Sequence, residues 1–414
     1  MQAIRQDYAL NPSWIVVAAG VSAALHVGKL PPAVTVLQRE LGMSLVQAGF
    51  LLSVVQMAGM VLGLAVGLGV DRWGLRRSML GGLLLMAFAS MSGAFVRGLP
   101  WLMALRALEG LGLLLTTMPG PGLMRRVVPP TELSARMGWW GTYMPLGSAL
   151  GLLLGPWVLA AASWQLWWML LGATSLLAAA AVWRFLPADV AMPSPNQPHA
   201  QRLTHAGWWP RLAITLRNPG PWLIALSFMA YSAQWFAVIG FLPAIYAQAG
   251  VSGKIAGTLT ALVAAANMAG NIASGKLLQK GWRVRRNLQT GFTAMGLCAF
   301  VAYVQLHGQP LAPLWLRFVA VVAFSAVGGL IPGSLFASAI RLAPSQETVS
   351  TTVGFMQQWS CVGQFFGPPV VAAVATLMGG WQWTWAVTAS LCALGWLLAL
   401  SVQRQWSKQS THSG

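Results

Sequence analysis

The sequence predicts an all-α protein that crosses a membrane many times, and three observations lead to this prediction. Hydrophobic residues make up 57% of the 414-residue chain and charged residues only 8%, with a mean hydropathy of +0.64. A soluble domain carries about 25% charged residues, so this chain cannot cover a water-facing surface. The apolar residues form continuous runs of about 20 rather than the alternating pattern of a β-barrel. The net charge of +18 comes from basic residues that lie between these runs.

Twelve apolar runs are present, and each is predicted to form one transmembrane helix. They cover residues 14–36, 45–69, 77–97, 100–122, 137–160, 164–186, 221–246, 254–278, 288–306, 312–338, 350–377 and 382–402. Six runs precede the polar, proline-containing stretch 187–220, and six follow it. We therefore predict an N-terminal bundle over 1–186, a cytoplasmic linker over 187–220, and a C-terminal bundle with a short cytoplasmic tail over 221–414.

The distribution of the 25 basic residues predicts the orientation in the membrane. With a cytoplasmic N-terminus, 19 of them fall on the cytoplasmic side, four fall on the other side, and Lys29 and Arg106 lie inside helices. Cytoplasmic loops carry the excess of Lys and Arg, so both termini are predicted to be cytoplasmic. The same rule accounts for the basic charge, and no nucleic-acid partner is expected.

The two halves of the chain resemble one another in sequence. Residues 67–77, between helices 2 and 3, have a basic counterpart in residues 274–286, between helices 8 and 9. A Gly-x-x-x-Gly-Pro motif occurs in helix 5 at residues 151–156 and again in helix 11 at residues 363–368. Parallel six-helix repeats are a known transporter architecture, and small residues at this spacing favour close helix packing.

The segment between helices 2 and 3 carries a spaced set of glycines and charges, namely Gly67, Asp71, Arg72, Gly74, Arg76 and Arg77. This set resembles the signature of the major facilitator superfamily. The resemblance implies the major facilitator fold, with twelve transmembrane helices in two six-helix pseudo-repeats. It also implies a monomeric secondary transporter of a bacterial inner membrane, in which this set forms a gate between the rocking halves. The alternative is an ordinary turn with positive-inside charges.

Helix 4 contains Arg106 and Glu109, which share a helix face, and it is similar to the helix 4 signature of the same family. Glu109 is the only acidic residue within the twelve runs. Charged groups are costly in lipid, so both are expected to face the protein interior and to be paired. Two interpretations stay open: substrate binding with proton coupling, or a structural pair that braces the bundle.

Helix 1 contributes His26 and Lys29 at a depth similar to that of Arg106. The family resemblance places helices 1, 4, 7 and 10 around a central cavity, where these residues would converge on Glu109. Such a site is net positive and favours an anionic small-molecule substrate. Glu109 is the first candidate proton carrier and His26 the second. Alternatively, Lys29 extends outward to the lipid headgroups.

Further polar residues inside the runs are candidate substrate ligands. They are Tyr143, Tyr231, Gln234, Asn267 and Gln357, and each could instead join helices to one another. Helix 10 is predicted to bend, because it contains Gly328, Gly329 and Pro332.

A shorter stretch, residues 28–53, resembles the cyanate permease branch of the superfamily. That resemblance implies small anions or carboxylates as substrates. It rests on a proline-bearing end of helix 1 and a Gly- and Ser-bearing lead into helix 2.

Other functions remain as alternatives. A proton-driven drug efflux antiporter is one, because the motif of helix 5 resembles the family's antiporter signature, although Leu159 and Ala160 replace two of its glycines. A non-transporting sensor with a transporter fold is another. An enzyme is not expected, since the sequence has no His-Glu-x-x-His motif, no Gly-x-Ser-x-Gly motif and no phosphate-binding loop. No metal or cofactor is predicted either.

Overall fold

The computed structural model describes residues 11–129, 131–132, 136, 139–189, 208–306, 308–345 and 348–412, and nearly all of them are helical. The helices of the first half are α1 (Pro12–Gly28), α2 (Val34–Leu41), α3 (Leu45–Ser53), α4 (Met57–Trp73), α5 (Leu75–Gly93), α6 (Leu99–Thr117), α7 (Gly120–Val127), α8 (Tyr143–Ala161) and α9 (Trp164–Phe185). Short 3-10 turns at Pro31–Ala33 and Val54–Gln56 join α1 to α2 and α3 to α4.

The helices of the second half are α10 (Trp208–Arg217), α11 (Pro219–Gln248), α12 (Gly253–Gln279), α13 (Val284–Tyr303), α14 (Leu314–Gly328), α15 (Leu330–Leu342), α16 (Val349–Leu377) and α17 (Thr384–His412). A 3-10 turn at Trp381–Trp383 precedes α17. The strands β1 (Gln305–Leu306) and β2 (Gln309–Pro310) form a small antiparallel hairpin between α13 and α14, with Leu306 opposite Gln309.

The all-α membrane architecture predicted from the sequence is confirmed. Ten helical segments of the described residues are long and apolar enough to cross a membrane. The helices α5 and α13, with 19 and 20 residues, lie between these segments and match the third and ninth apolar runs. Both have an arginine pair directly after their first residue, which lowers their mean hydropathy. The ten segments and these two helices follow the order of the twelve predicted runs.

Local sequence explains where several helices begin and end. The side chain of Asn11 accepts a hydrogen bond from the Ser13 amide at 3.0 Å, so α1 begins with a capped turn. Ser44 and Gln47 form a reciprocal capping box at the start of α3. Gly42, with φ of 63°, ends α2 in the left-handed conformation that favours glycine.

The structure corrects several boundaries expected from the sequence. The predicted loop between helices 2 and 3 is mostly helical, because α4 continues to Trp73 and α5 begins at Leu75. The predicted linker 187–220 contains the helix α10, and the predicted tail continues α17 as far as His412. Charged and polar helix ends extend beyond the hydrocarbon region, and hydropathy does not detect them. Helix 10, in which a bend was expected, is interrupted at Gly329, which separates α14 from α15.

The two Gly-x-x-x-Gly-Pro motifs pack in equivalent ways in the two halves. In α8, a Cβ added at Gly151 would lie 3.0 Å from the Gly28 Cα at the end of α1. In α16, a Cβ added at Gly367 would lie 3.0 Å from the Ala233 Cα of α11, the corresponding first long helix of the second half. The motif therefore allows close helix contact, as its small residues predict.

The two halves meet along an inter-half seam, formed by α3 and α4 against α16 and by α8 against α12. A Cβ added at Gly257 of α12 would lie 2.7 Å from the Leu152 carbonyl oxygen of α8. A Cβ added at Gly49 of α3 would lie 3.0 Å from the Pro368 carbonyl oxygen of α16. Cys361 of α16 donates to the side-chain oxygen of Gln56 at 3.6 Å. The two halves are therefore in close contact from the helix ends opposite the arginine-rich end, where Arg76 and Arg77 lie, to the level of Gln56 and Cys361.

Candidate functional site

The charged cluster consists of His26, Lys29, Arg106 and Glu109, and it lies inside the N-terminal half. Each of these residues is at most 2% exposed. Glu109 is the centre of the cluster: its Oε1 accepts a hydrogen bond from Lys29 Nζ, and its Oε2 accepts one from Arg106 Nη1 at 2.7 Å. The Nδ1 atom of His26 lies 3.5 Å from Oε1. The structure thus brings together four residues that the sequence analysis had singled out on helices 1 and 4.

Three transmembrane helices besides α6 hold the cluster in place. Lys29 Nζ also donates to Ser90 Oγ of α5 at 3.0 Å and lies 4.4 Å from the ring centroid of Trp168 in α9. The Nε2 atom of His26 lies 2.9 Å from Ser175 Oγ, also in α9. Because Lys29 is fully buried and bonded inward, the alternative in which it extends to the lipid headgroups is wrong.

The position of α6 depends on Gly110, the residue after Glu109. A Cβ there would collide with the carbonyl oxygen of Val55, in the 3-10 turn between α3 and α4. The helix therefore packs directly on the interruption of the second transmembrane segment. This close contact fixes the position of Glu109 relative to the second transmembrane segment.

The positive charges of the charged cluster outnumber its negative charges by one. Lys29 and Arg106 contribute one positive charge each, Glu109 contributes one negative charge, and neutral His26 contributes none, so the net charge is +1. Arg106 Nη1 also donates to the His26 carbonyl oxygen. Within the described part of the chain, the Nε and Nη2 atoms of Arg106 are buried and make no hydrogen bond. A buried guanidinium with unused donors favours a bidentate anionic partner.

The second half contains a neutral polar network. Asn267 Nδ2 of α12 donates to Tyr231 OH of α11 and to the Ser325 carbonyl oxygen of α14, both at 2.8 Å. Trp235 Nε1 donates to Ser325 Oγ at 3.0 Å, and Asn271 donates to Asn267 Oδ1 at 2.9 Å. Two of the predicted substrate ligands, Tyr231 and Asn267, are thus brought together.

The remaining predicted ligands are separate from both groups. Tyr143 is half-buried at the start of α8, where it stacks on Trp140 with ring centroids 4.6 Å apart. Gln234 is buried and accepts a hydrogen bond from Cys392 Sγ of α17 at 3.2 Å, inside the second half. Gln357 is half-buried on α16. On the same helix, Gln358 donates to the Met60 carbonyl oxygen across the inter-half seam at 2.7 Å.

The predicted gate lies at the arginine-rich end of the first half. Gly67, Asp71 and Arg72 are in α4, but the side chains of Asp71 and Arg72 fall outside the described part of the structure. Gly74, with φ of 96°, makes the turn into α5. The backbone amides of Arg76 and Arg77 donate to the two carboxylate oxygens of Asp189, at 3.1 and 3.0 Å.

Asp189 was not singled out from the sequence, yet it joins three parts of this end. Besides capping α5, it forms an ion pair with Arg126 of α7 at 3.1 Å. Its place directly after helix 6, in a chain with only seven acidic residues, is a signal that could have identified it. The partners of the charged cluster, Ser90, Trp168 and Ser175, were also missed, because small hydroxyls and aromatics are common within transmembrane helices.

Comparison with known proteins identifies one family and several similar transporters. A family model described as "Major Facilitator Superfamily" matches residues 16–368 and 224–413. The "Cyanate transport protein CynX" of Escherichia coli (strain K12) is 26% identical over 290 residues, which cover 70% of this chain and 69% of that protein. The "2-nitroimidazole transporter" of the same strain is 26% identical over 324 residues, covering 75% and 74%. The "Hexuronate transporter" of Bacillus subtilis (strain 168) is 20% identical over 395 residues, covering 93% and 92%.

Among solved structures, the fold is similar to that of a bacterial homologue of the human lysosomal transporter Spinster. That structure is described as inward-facing and unoccupied, and the TM-score is 0.76 at 14% sequence identity. The similarity covers 97% of this chain and 99% of that chain. At this level of identity, the comparison establishes the fold.

Proposed function

The chain belongs to the major facilitator superfamily, whose members matched here are non-enzymatic membrane transporters of small solutes, and on that premise we propose that it carries a small anion together with protons. Transport proceeds by alternating access, as residues 1–186 rock against residues 221–402. The protein acts as a monomer in the inner membrane of a bacterium. The excess of basic residues on one side supports cytoplasmic termini, with 19 residues against four.

The observation that carries this proposal is the pair of unused donors on Arg106. The guanidinium is 2% exposed, and within the described residues its Nε and Nη2 have no hydrogen-bond partner. Leaving buried charged donors unsatisfied costs free energy, which a carboxylate or another small anion recovers by accepting both. The names of two relatives, a cyanate transporter and a hexuronate transporter, are consistent with anionic substrates.

The electrostatics of the charged cluster support proton coupling in this proposal. A monovalent anion brings the net charge from +1 to zero, and a proton on Glu109 restores it to +1. The protonated carboxyl no longer repels the anion, and it releases Lys29 and Arg106 from their ion pairs. Anion binding and Glu109 protonation therefore favour each other, which is the linkage that a symporter needs. His26, 3.5 Å from Glu109, is the second proton carrier.

The neutral groups of the second half complete the substrate path in this proposal. Tyr231 and Asn267 already form one hydrogen-bonded unit, and Tyr143 and Gln357 are half-buried at other positions. Amides and hydroxyls can orient a polar solute without adding charge. Gln234 would contribute only after release from Cys392, because its oxygen accepts a hydrogen bond from that thiol.

The test is solute flux in proteoliposomes that contain a pH-sensitive dye. Cyanate and glucuronate are the anionic probes, and glucose is the uncharged match for glucuronate. We expect an anion to carry protons inward, and we expect Arg106→Gln to abolish this flux. Arg125→Gln, an exposed arginine of α7, is the matched control. Flux of glucose equal to that of glucuronate, or unchanged anion flux in Arg106→Gln, would contradict the proposal.

A second candidate is a proton-driven drug antiporter, which the similarity to a 2-nitroimidazole transporter favours. The same proteoliposomes distinguish it when lipophilic cations and 2-nitroimidazole are added to the probes. Proton movement driven only by these compounds would contradict the anion proposal and support the drug antiporter. A non-transporting sensor would give no flux with any probe.

A further inference from the structure

The arginine-rich end of the second half carries two surface cavities that share one residue. One, of about 580 Å³, is lined along α13 by Arg283, Arg285 and Arg286 and continues past Thr290 and Thr293 to Leu297. The other, of about 630 Å³, lies between the start of α11 and the end of α17, where Arg404 is exposed. Arg285 lines both. We name these two adjoining cavities together the arginine groove.

The protein has little negative charge with which to neutralise this groove. From residue 221 onward the chain has ten basic residues and a single acidic residue, Glu347. Among the described residues, no carboxylate forms an ion pair with Arg283, Arg285, Arg286 or Arg404. Arg285 instead donates to Gln289 Oε1 at 3.0 Å. Clustered guanidiniums without internal counterions attract an external anion.

The shape of the first cavity fits an amphipathic anion rather than a free ion. Arg286 lies 3.9 Å from the ring centroid of Trp282, and tryptophans are enriched at the level of the lipid headgroups. From there, exposed hydroxyls at Thr290 and Thr293 lead to Leu297, which is 65% exposed. Twelve residues of helix separate Arg285 from Leu297, a rise of about 18 Å, so the strip runs from the headgroup level into the hydrocarbon region.

We propose that the arginine groove binds an anionic phospholipid. The phosphate lies against Arg283, Arg285 and Arg286, and the glycerol ester groups lie at the level of Thr290 and Thr293. One acyl chain then follows the exposed strip along Leu297. In the orientation given by the basic residues, this lipid belongs to the cytoplasmic leaflet.

Native mass spectrometry of the delipidated full-length protein tests this inference. The protein in detergent is titrated with dioleoyl phosphatidylglycerol, dioleoyl phosphatidylcholine and inorganic phosphate. We expect retention of phosphatidylglycerol, with each arginine of the groove contributing about fivefold to its affinity. The triple variant Arg283→Gln, Arg285→Gln, Arg286→Gln should therefore bind it on the order of 100-fold more weakly.

The controls distinguish a specific lipid site from nonspecific electrostatic attraction to a basic surface. Arg125→Gln removes an exposed arginine from the first half, at its arginine-rich end. This variant should leave phosphatidylglycerol binding unchanged, because Arg125 is not part of the arginine groove. Thermal unfolding without lipid checks that the triple variant is folded, and the single variant Arg285→Gln, with an expected fivefold loss, is used if it is not. Equal binding of phosphatidylcholine, displacement by millimolar phosphate, or an equal effect of Arg125→Gln would overturn the inference.

Discussion

Replacing Glu109 by Gln removes the negative charge of the charged cluster while nearly preserving the shape of the side chain. Glu109 is 1% exposed, and its carboxylate pairs with both Lys29 and Arg106. In the variant, these two cations remain buried without their counterion, and removing one partner of a buried pair costs about 3–5 kcal/mol. We therefore expect Glu109→Gln to unfold at a clearly lower temperature than the wild type.

An anionic substrate should recover most of that loss, because it supplies the missing negative charge. At a concentration 100 times its Kd, a ligand that binds only the folded state adds about 2.7 kcal/mol. Thermal unfolding in detergent, with glucuronate or glucose added, measures this rescue directly. We expect glucuronate to stabilise Glu109→Gln more than it stabilises the wild type, since the competing carboxylate is gone, and we expect glucose to have no effect.

The transport phenotype should separate coupling from binding. Without a carboxylate to protonate, Glu109→Gln should lose proton-driven accumulation while still exchanging anion for anion across the bilayer. Glu40→Gln is the matched control, because Glu40 is an exposed acid that accepts a hydrogen bond from Trp164 Nε1 at 2.6 Å, which an amide oxygen can also accept. Coupled uptake at normal strength in Glu109→Gln, or the absence of any anion rescue, would show that Glu109 only braces the bundle.

Three further predictions concern single residues. Arg106→Lys keeps the charge but loses the forked donors, so anion affinity, measured by equilibrium binding of glucuronate, should fall by about 10- to 100-fold. Gly257→Val places a side chain against α8, so the inter-half seam should open. Cys361 of the seam should then react faster with an impermeant maleimide, measured in a background without the other cysteines. Gly275→Val, on the same helix with open space around it, should not increase this rate. Asp189→Asn removes the charged cap of α5 and its ion pair, so the unfolding temperature should fall, whereas Glu132→Gln, which breaks an exposed pair, should have little effect.

The fold was predictable because bilayer thickness leaves a direct mark on the sequence. An apolar run of about 20 residues has one structural solution in lipid, so the order of the transmembrane segments follows from hydropathy alone. The positions of the helix ends could not be predicted from hydropathy, because residues such as Asp71 and Trp73 belong to helices that extend beyond the hydrocarbon region. Breaks within helices were predictable where glycine marks them, as at Gly329.

The charged cluster was predictable for a related reason. Charges in lipid-spanning segments are expected to be buried and paired, so Arg106 and Glu109 were predicted to face the protein interior. That Lys29 joins them depended on the helix arrangement implied by the family resemblance, and its extension to the lipid headgroups stayed open until the structure showed it buried against Glu109. Neutral polar residues gave no such constraint. Gln234 lies on a helix that is apolar on every face, so the sequence of that helix does not show which face points inward. The contact between Gln234 and Cys392 could therefore not be predicted. Asp189 was missed because its partners on α5 and α7 lie far from it in sequence.

The two halves share a packing scheme but differ in charge, and this asymmetry gives them different roles in the proposed transport cycle. The Gly-x-x-x-Gly-Pro motifs make matching contacts, with Gly151 close to α1 and Gly367 close to α11. The first half encloses a cluster with a net charge of +1, whereas the described polar network around Tyr231 and Asn267 is neutral. An anion held by Arg106 would therefore move with the first half when the halves rock, and the second half would only open or close its path. It follows that changes to Tyr231 or Asn267 should alter which anion is selected, while changes to Arg106 should determine whether an anion binds at all.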